Sequence, residues 1–439
     1  MKASSRPARK AGIEVSPTPI MVDGSVSIRC FGLVPAQPAT LRARLRDDSG
    51  LLWSSWAAFE VGAKGELALD QLPPADGTYA GVDPEGLLWS MQPESWDAAQ
   101  EHGLKTGILP TSVEFEVEQS GEAVATCSTE LRWLAAGVKE EELSAGGLVG
   151  VSFTPSGQGP FPPVLVVGGS DGGLRLETAA LLASHGIFAL ALAYFRYPGL
   201  PEELVEIPLE YFGRALDWLR ADPRSDPTRG LGVVGRSRGG ELALVLGATF
   251  EQVDAVVAFV PSGIVHSGIL GGAESWQAAV PAWTKGGVPL PFLGHEDPSG
   301  PASALPAPIA LTPIYCRDLS NWAAVERAAI PLERSRARIL MLSGAADAMW
   351  PSPLLSELAL SRLARHRFPH PVRHIAFPDA GHRFVFPTLP GSVTSGRHPA
   401  DHQVYEYGGT PKGNARACRL AHREMLDWLA GRLEASPIS

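Results

Sequence analysis

The chain has 439 residues, too many for one hydrophobic core, which predicts two domains; with 45% hydrophobic and 19% charged residues its composition is that of an ordinary globular protein. A formal net charge of -10 without any run of lysine or arginine argues against a nucleic-acid partner. No stretch approaches the ~18 continuous apolar residues of a membrane span, and the four cysteines, Cys30, Cys127, Cys316 and Cys418, lack motif spacing and suit a reducing cytoplasm better than a disulfide framework.

Residues 1–12 are basic and small, with Lys2, Arg6, Arg9 and Lys10, and no apolar stretch follows them, so a disordered tail is expected rather than a signal peptide. From 13 to 137, short runs alternate apolar with polar residues between Gly, Pro and Asp turns. Examples are Ser25-Val-Ser-Ile-Arg-Cys-Phe31, Ala39-Thr-Leu-Arg-Ala-Arg-Leu45, Gly65-Glu-Leu-Ala-Leu69 and Thr111-Ser-Val-Glu-Phe-Glu-Val117. Period-two alternation in short strands predicts an Ig-like β-sandwich. After Val138-Lys-Glu-Glu-Glu142 the texture changes: apolar strand runs, Val164 to Val167 and Phe188 to Leu192, alternate with helical stretches, Leu174 to His185 and Leu209 to Leu219. That alternation predicts a doubly wound α/β sheet over 138–439. Between Pro261 and Leu332 the sequence is rich in Gly and Pro and carries Trp276, Trp283 and Phe292, aromatics suited to a lid or substrate wall, or to anchoring loops.

The motif with the most chemistry is Leu231-Gly-Val-Val-Gly-Arg-Ser-Arg-Gly-Gly-Glu-Leu-Ala-Leu244, in which Ser237 stands between Gly235 and Gly239, after an apolar strand and before a helix-forming run. A serine on so sharp a strand-to-helix turn requires small residues two before and two after it, and it presents its hydroxyl alone at the strand tip. Ser237 is therefore the expected nucleophile. A serine hydroxyl needs a base and an orienting carboxylate, and in α/β-type hydrolases these follow in the order acid, then histidine, each in a loop past a strand. Arg338-Ile-Leu-Met-Leu-Ser343 ends in Gly344-Ala-Ala-Asp347, which nominates Asp347; Asp379 is a competing carboxylate, and a helix N-cap before the Pro351 to Arg365 run is the other use of Asp347. His374-Ile-Ala-Phe377 opens into Pro378-Asp-Ala-Gly-His382, which nominates His382 as base. His366, His370 and His374 lie on the wrong side of that strand, and His398 and His402 fall in a Gly/Pro-rich loop. For the oxyanion, the Arg238 N–H at the helix start is one expected donor. A second is expected from the loop Gly168-Gly-Ser-Asp-Gly-Gly-Leu174, where Ser170, Asp171 and Gly172 are the candidates. The loop lacks the lysine and threonine of a phosphate-binding loop, and no metal-ligand spacing occurs; neither cofactor nor metal is expected.

Taken together, several stretches make the chain resemble the acyl-CoA thioesterases grouped with bile acid-CoA:amino acid N-acyltransferases. They are Gly32 to Asp47, Gly86-Leu-Leu-Trp-Ser-Met-Gln-Pro-Glu94, Ala191-Leu-Ala-Tyr-Phe195, Leu209-Glu-Tyr-Phe212, Gly235-Arg-Ser-Arg-Gly-Gly-Glu-Leu242, and Gly408-Gly409 followed by Asn414-Ala415. The resemblance implies an α/β-hydrolase domain behind an N-terminal β-sandwich, with Ser237, Asp347 and His382 as triad. It also implies a small-molecule acyl-CoA thioester as substrate. The N-acyltransferase branch usually carries cysteine at the nucleophile, so serine favours hydrolysis over transfer to an amine; an oxygen ester or a carrier-bound acyl group is the alternative substrate. Arg175, Arg196, Arg236 and Arg238 are the candidate contacts to the coenzyme A nucleotide, and a homo-oligomer is left open.

Overall fold

A computed structural model describes residues 10–95, 107–144, 146–271, 279–295 and 306–431. In the N-terminal part, a three-stranded sheet (Gly12–Ser16, Ser27–Phe31, Leu67–Ala68) faces a seven-stranded sheet built around Pro38–Arg46, Leu52–Glu60, Thr111–Gln119 and Glu122–Arg132. Along Pro38–Arg46 every second residue is buried, the pattern of a strand with one face on a core. The inward residues of both sheets, among them Ile28, Leu41, Trp53 and Phe115, share one hydrophobic cluster, so the two sheets form a sandwich.

The remainder is built on eight strands, numbered here by themselves: β1 (Lys139–Leu143), β2 (Val149–Thr154), β3 (Pro163–Val167), β4 (Phe188–Ala193), β5 (Gly232–Arg236), β6 (Ala255–Phe259), β7 (Arg338–Gly344) and β8 (Val372–Phe377). Their order is β1-β2-β4-β3-β5-β6-β7-β8, with β1 and β2 antiparallel to their neighbours and all other pairs parallel. The fold is that of an α/β-hydrolase. Every residue of β3, β4 and β6 is buried, because helices cover both faces; this is why these strands read as unbroken apolar runs. Register positions the loops that matter: Val167 pairs with Gly235, so the loops leaving β3 and β5 stand side by side, and Gly344 pairs with Phe377, which brings the loops after β7 and β8 together.

The two parts pack against each other along the segment after His382, among other places. The Thr388 amide and hydroxyl both donate to the Val22 carbonyl, at 3.2 and 2.8 Å. The Gly391 amide donates to the Trp89 carbonyl at 2.9 Å, and Phe386 meets Trp133 edge to face with centroids 4.6 Å apart. Among the described residues no helix is long and apolar enough to cross a membrane.

Candidate active site

Ser237 sits between β5 and the helix Arg238–Thr249 with φ 58° and ψ -122°, a left-handed conformation that a serine adopts only when its surroundings hold it there. Those surroundings explain the glycines. A Cβ on Gly235 would run into the Gly239 carbonyl, and one on Gly239 into the Gly168 carbonyl. The Ser237 amide is anchored to the Phe259 carbonyl at 2.9 Å. The side chain points at the loops after β7 and β8: Ser237 Oγ lies 2.9 Å from His382 Nε2, and His382 Nδ1 lies 3.0 and 2.9 Å from the two oxygens of Asp347. The sequence-nominated serine, carboxylate and histidine thus form one unbroken hydrogen-bonded row.

Asp347 is buried, and its carboxylate has further donors: the Met349 and Trp350 amides at 3.0 and 3.3 Å and the Ser352 hydroxyl at 2.6 Å. It caps no helix, since Pro351 holds that position at the start of Ser352–Arg365 without a side-chain cap. Asp379, the competing carboxylate, is exposed. The Gly408-Gly409 pair and Asn414 have a plain job here. Gly408 bridges to Asp347 and Gly409 to Ala380, both at positive φ, while Asn414 Oδ1 accepts the Gly381 amide at 2.9 Å and the His382 amide donates to the Tyr407 carbonyl at 2.7 Å. Together they splice the loops that carry Asp347 and His382. The Trp350 ring stands edge to face against His382, and its indole N–H is tied to the Val260 carbonyl at 3.0 Å.

Ser237 opens onto two cavities. One is lined by Ile269, Leu293, Tyr315, Met349 and Trp350 and is mostly apolar. The Arg238 side chain belongs to its wall but is neutralised internally. Its guanidinium donates to Glu241 at 2.6 Å and to the His266 and Ser267 carbonyls at 3.0 and 2.8 Å. Glu241, fully buried, also accepts from Trp283 Nε1 at 2.9 Å and from the His266 amide at 3.2 Å, with His266 Nδ1 at 3.1 Å. Burial depresses the His266 pKa against the pull of Glu241, which keeps the imidazole neutral. Trp283 is therefore a core anchor packed on Tyr194 and Phe212 rather than a substrate wall; Trp276 lies outside the described residues.

The second cavity, about 1500 Å³ counting its open mouth, is lined by Arg236, Arg383, Arg397 and Tyr407, and by Asp48 and Ser49 from a hairpin tip of the N-terminal sandwich. Asp171 also lines it. Burial alone would raise its pKa, yet Arg175, and after it Arg236, hold the carboxyl down at about 2. Arg175 is ion-paired with that carboxylate, which leaves Arg236 and Arg383 in excess. The guanidinium pKa values of both are lowered, first by burial; each also lies in the repulsive field of a neighbouring guanidinium, Arg175 for Arg236 and Arg236 for Arg383.

Of the basic residues nominated from sequence, Arg236 faces this cavity, Arg238 and Arg175 are committed internally, and Arg196 lies beside Glu202, 3.5 Å away. Arg383 and Arg397 were not nominated; Arg383 directly follows His382, a signal that position alone offers.

The oxyanion candidates divide. Arg238 opens its helix, where first-turn amides have no intrahelical acceptor. Gly172 is corrected: its amide already donates to the Gly169 carbonyl at 3.1 Å, closing a turn that carries it away from Ser237. Asp171 directs its carboxylate to Arg175, and Ser170 lines both cavities together with Ser237. His398, set aside on sequence as a loop residue, comes to the site through the fold, with Nε2 2.9 Å from Ser170 Oγ.

Residues 23–145 match the family model for the acyl-CoA thioester hydrolase/BAAT N-terminal region, and residues 207–435 match that for the BAAT / acyl-CoA thioester hydrolase C terminal. Acyl-coenzyme A thioesterase 6 of Mus musculus is 31% identical over 406 residues, 90% of each chain. The mitochondrial acyl-coenzyme A thioesterase 2 of Rattus norvegicus is 32% identical over 90% of this chain and 83% of its own. The peroxisomal succinyl-coenzyme A thioesterase of Mus musculus is 30% identical over 92% of both chains.

Proposed function

Because this chain belongs to the acyl-CoA thioester hydrolase/BAAT family, we propose that it hydrolyses acyl-CoA thioesters to the free acid and coenzyme A, with Ser237 as nucleophile, His382 as general base and Asp347 as its orienting carboxylate. The observation that carries this reading is the position of Ser237. It is hydrogen-bonded to His382 at the meeting point of an apolar cavity and an arginine-rich one. An acyl-CoA has the same division, an apolar acyl group on one side of the thioester carbonyl and a nucleotide bearing several phosphate charges on the other. Guanidiniums not cancelled by carboxylates suit phosphate oxygens, which they bind in bidentate fashion.

In this mechanism Ser237 Oγ attacks the thioester carbonyl while its proton passes to His382 Nε2, and Asp347 stabilises the imidazolium through Nδ1–H. Collapse of the tetrahedral species breaks the C–S bond, and His382 returns the proton to the departing thiolate. Water then repeats the sequence on the acyl-enzyme. The Arg238 amide, at the positive end of its helix, is one donor to the oxyanion. The free cysteines fit the reducing cytoplasm as its place of work: burial pushes the Cys30 and Cys418 thiols up to about 12, so they are inert.

The test is free-thiol release from acyl-CoAs of graded chain length, with native protein and Ser237→Ala, and with glycine or taurine added. Thiol released with free acid as product, and lost in the variant, is the expected result. Amide product would move the chain to acyl transfer, and release only from oxygen esters would make it a carboxylesterase.

A further inference from the structure

We propose that the Ser170 hydroxyl, held in place by His398, is a side-chain donor to the oxyanion that forms at the acyl carbonyl. This rests on Ser237 being the acyl-accepting nucleophile.

Ser170 is in the loop after β3, two residues past the glycine whose carbonyl abuts the Ser237 turn. Its neighbour Gly169 lies so close that a Cβ there would stand 3.6 Å from Ser237 Cβ. Ser170 and Ser237 line both cavities together, so the hydroxyl stands at the junction where the scissile carbonyl must sit.

The direction of the hydrogen bond follows from His398. Its Nδ1 accepts the Ala400 amide at 3.2 Å, so this nitrogen carries a lone pair and the ring proton is on Nε2. That proton faces Ser170 Oγ at 2.9 Å, and Ser170 is the acceptor. With its lone pair engaged by an N–H, the serine has its own proton left to donate. The pair is therefore not a second nucleophile and base, because a protonated Nε2 has no lone pair to take the serine proton. It is a polarised O–H donor.

The imidazole is well fixed. His398 is buried, its ring meets Tyr405 edge to face, and the Tyr405 hydroxyl donates to Asp401 at 2.5 Å while the Gln403 amide donates to the other Asp401 oxygen at 3.0 Å. A donor positioned before reaction costs no reorganisation when charge develops, which is the condition for strong oxyanion stabilisation.

In the addition step the Ser237 Oγ–carbon bond forms, the carbonyl π pair moves onto oxygen, and the serine proton goes to His382. The new oxyanion then accepts from Arg238 N–H and Ser170 O–H. When the oxygen pair re-forms the carbonyl, the C–S bond breaks and the thiolate takes the proton from His382.

Steady-state kinetics on acyl-CoA test this. Ser170→Ala should lower kcat on the order of 10²-fold with KM within about twofold, the signature of an interaction made only in the transition state. Ser170→Thr, which keeps the hydroxyl, should restore most of the loss. His398→Ala should cost roughly tenfold in kcat, the worth of one hydrogen bond, and the double variant should be no slower than Ser170→Ala, since His398 acts through Ser170. Binding of an acyl-CoA thioether, which has no carbonyl to attack, reports on the fold of each variant and should not change. An unchanged kcat in Ser170→Ala, losses that multiply in the double variant, or weakened thioether binding would each overturn the proposal. If the native protein cleaves no acyl-CoA, the acyl-CoA reading falls. The same kcat comparison on p-nitrophenyl acetate then decides the Ser170 assignment separately.

Discussion

Two arginines flank Ser237, and the cavities they belong to treat charge in opposite ways. Arg238 is closed off by Glu241, whose carboxylate also takes Trp283 and the His266 amide, so the wall toward Ile269 and Leu293 carries no net charge. Arg236 faces the other way, into a cavity where it, Arg383 and Arg397 outnumber the two lining carboxylates, Asp48 and Asp171, the latter held by Arg175. A charge cancelled inside the protein is scaffolding, whereas one left uncancelled in a cavity is a demand for a ligand of opposite sign. The same residue type, two positions apart, serves both ends because the chain reverses direction at Ser237, which stands between them at positive φ.

The largest expected effect lies at the junction itself. Ser237→Ala should lower thioester hydrolysis by about 10⁶-fold, and Asp347→Asn should lower kcat by about 10⁴-fold by presenting the wrong His382 tautomer; thiol release measures both. Next comes the neutral side. Glu241→Gln strands the Arg238 guanidinium in a buried wall, an expected loss of about 3–5 kcal/mol in denaturant unfolding, as for other buried pairs broken on one side. A loss under ~1 kcal/mol would break the comparison, since Arg238 would then not depend on internal cancellation.

On the charged side, Arg383→Gln should raise KM for acyl-CoA about tenfold by removing a charge-assisted contact. It should leave kcat/KM unchanged for the same acyl group on N-acetylcysteamine, which has no phosphate. Equal effects on both substrates would remove the division of labour.

The smallest effect is in pH. The His266 pKa is depressed on folding, so in the unfolded chain this residue takes up a proton near its ordinary 6.5 while in the folded one it does not. Stability from this group is therefore full above pH 6.5 and falls as pH drops below it. His374 and His422, depressed chiefly by burial, contribute in the same direction. His266→Gln should flatten part of the pH 5–7 slope measured by thermal unfolding.

The hydrogen-bonded row of Ser237, His382 and Asp347 was legible because each member sits at the end of an apolar strand run, in an order that strand-end geometry dictates; Gly235 and Gly239 were legible because the turn leaves no room for a Cβ. The His398 contact was not, since its loop has neither periodicity nor a strand end, and only the fold carries residue 398 to residue 170. Gly172 looked as good a donor as its neighbours, because a sequence does not say which amide a turn will use. For Trp283 the sequence left wall and anchor open, and the fold chose the anchor because its indole N–H found a buried carboxylate.

By itself the amino-acid sequence determined the two halves, the strand runs and the nomination of Ser237, Asp347 and His382, because hydrophobic period and glycine placement are local constraints that survive in one dimension. The tertiary structure alone decided which arginines are cancelled, that the Gly172 amide is taken by a turn, and that the N-terminal sandwich holds the segment behind His382. The last depends on contacts between residues hundreds of positions apart, such as Thr388 with Val22, while the ion pairs and the turn close over three or four positions but take their surroundings from the sheet register that sets β3 beside β5.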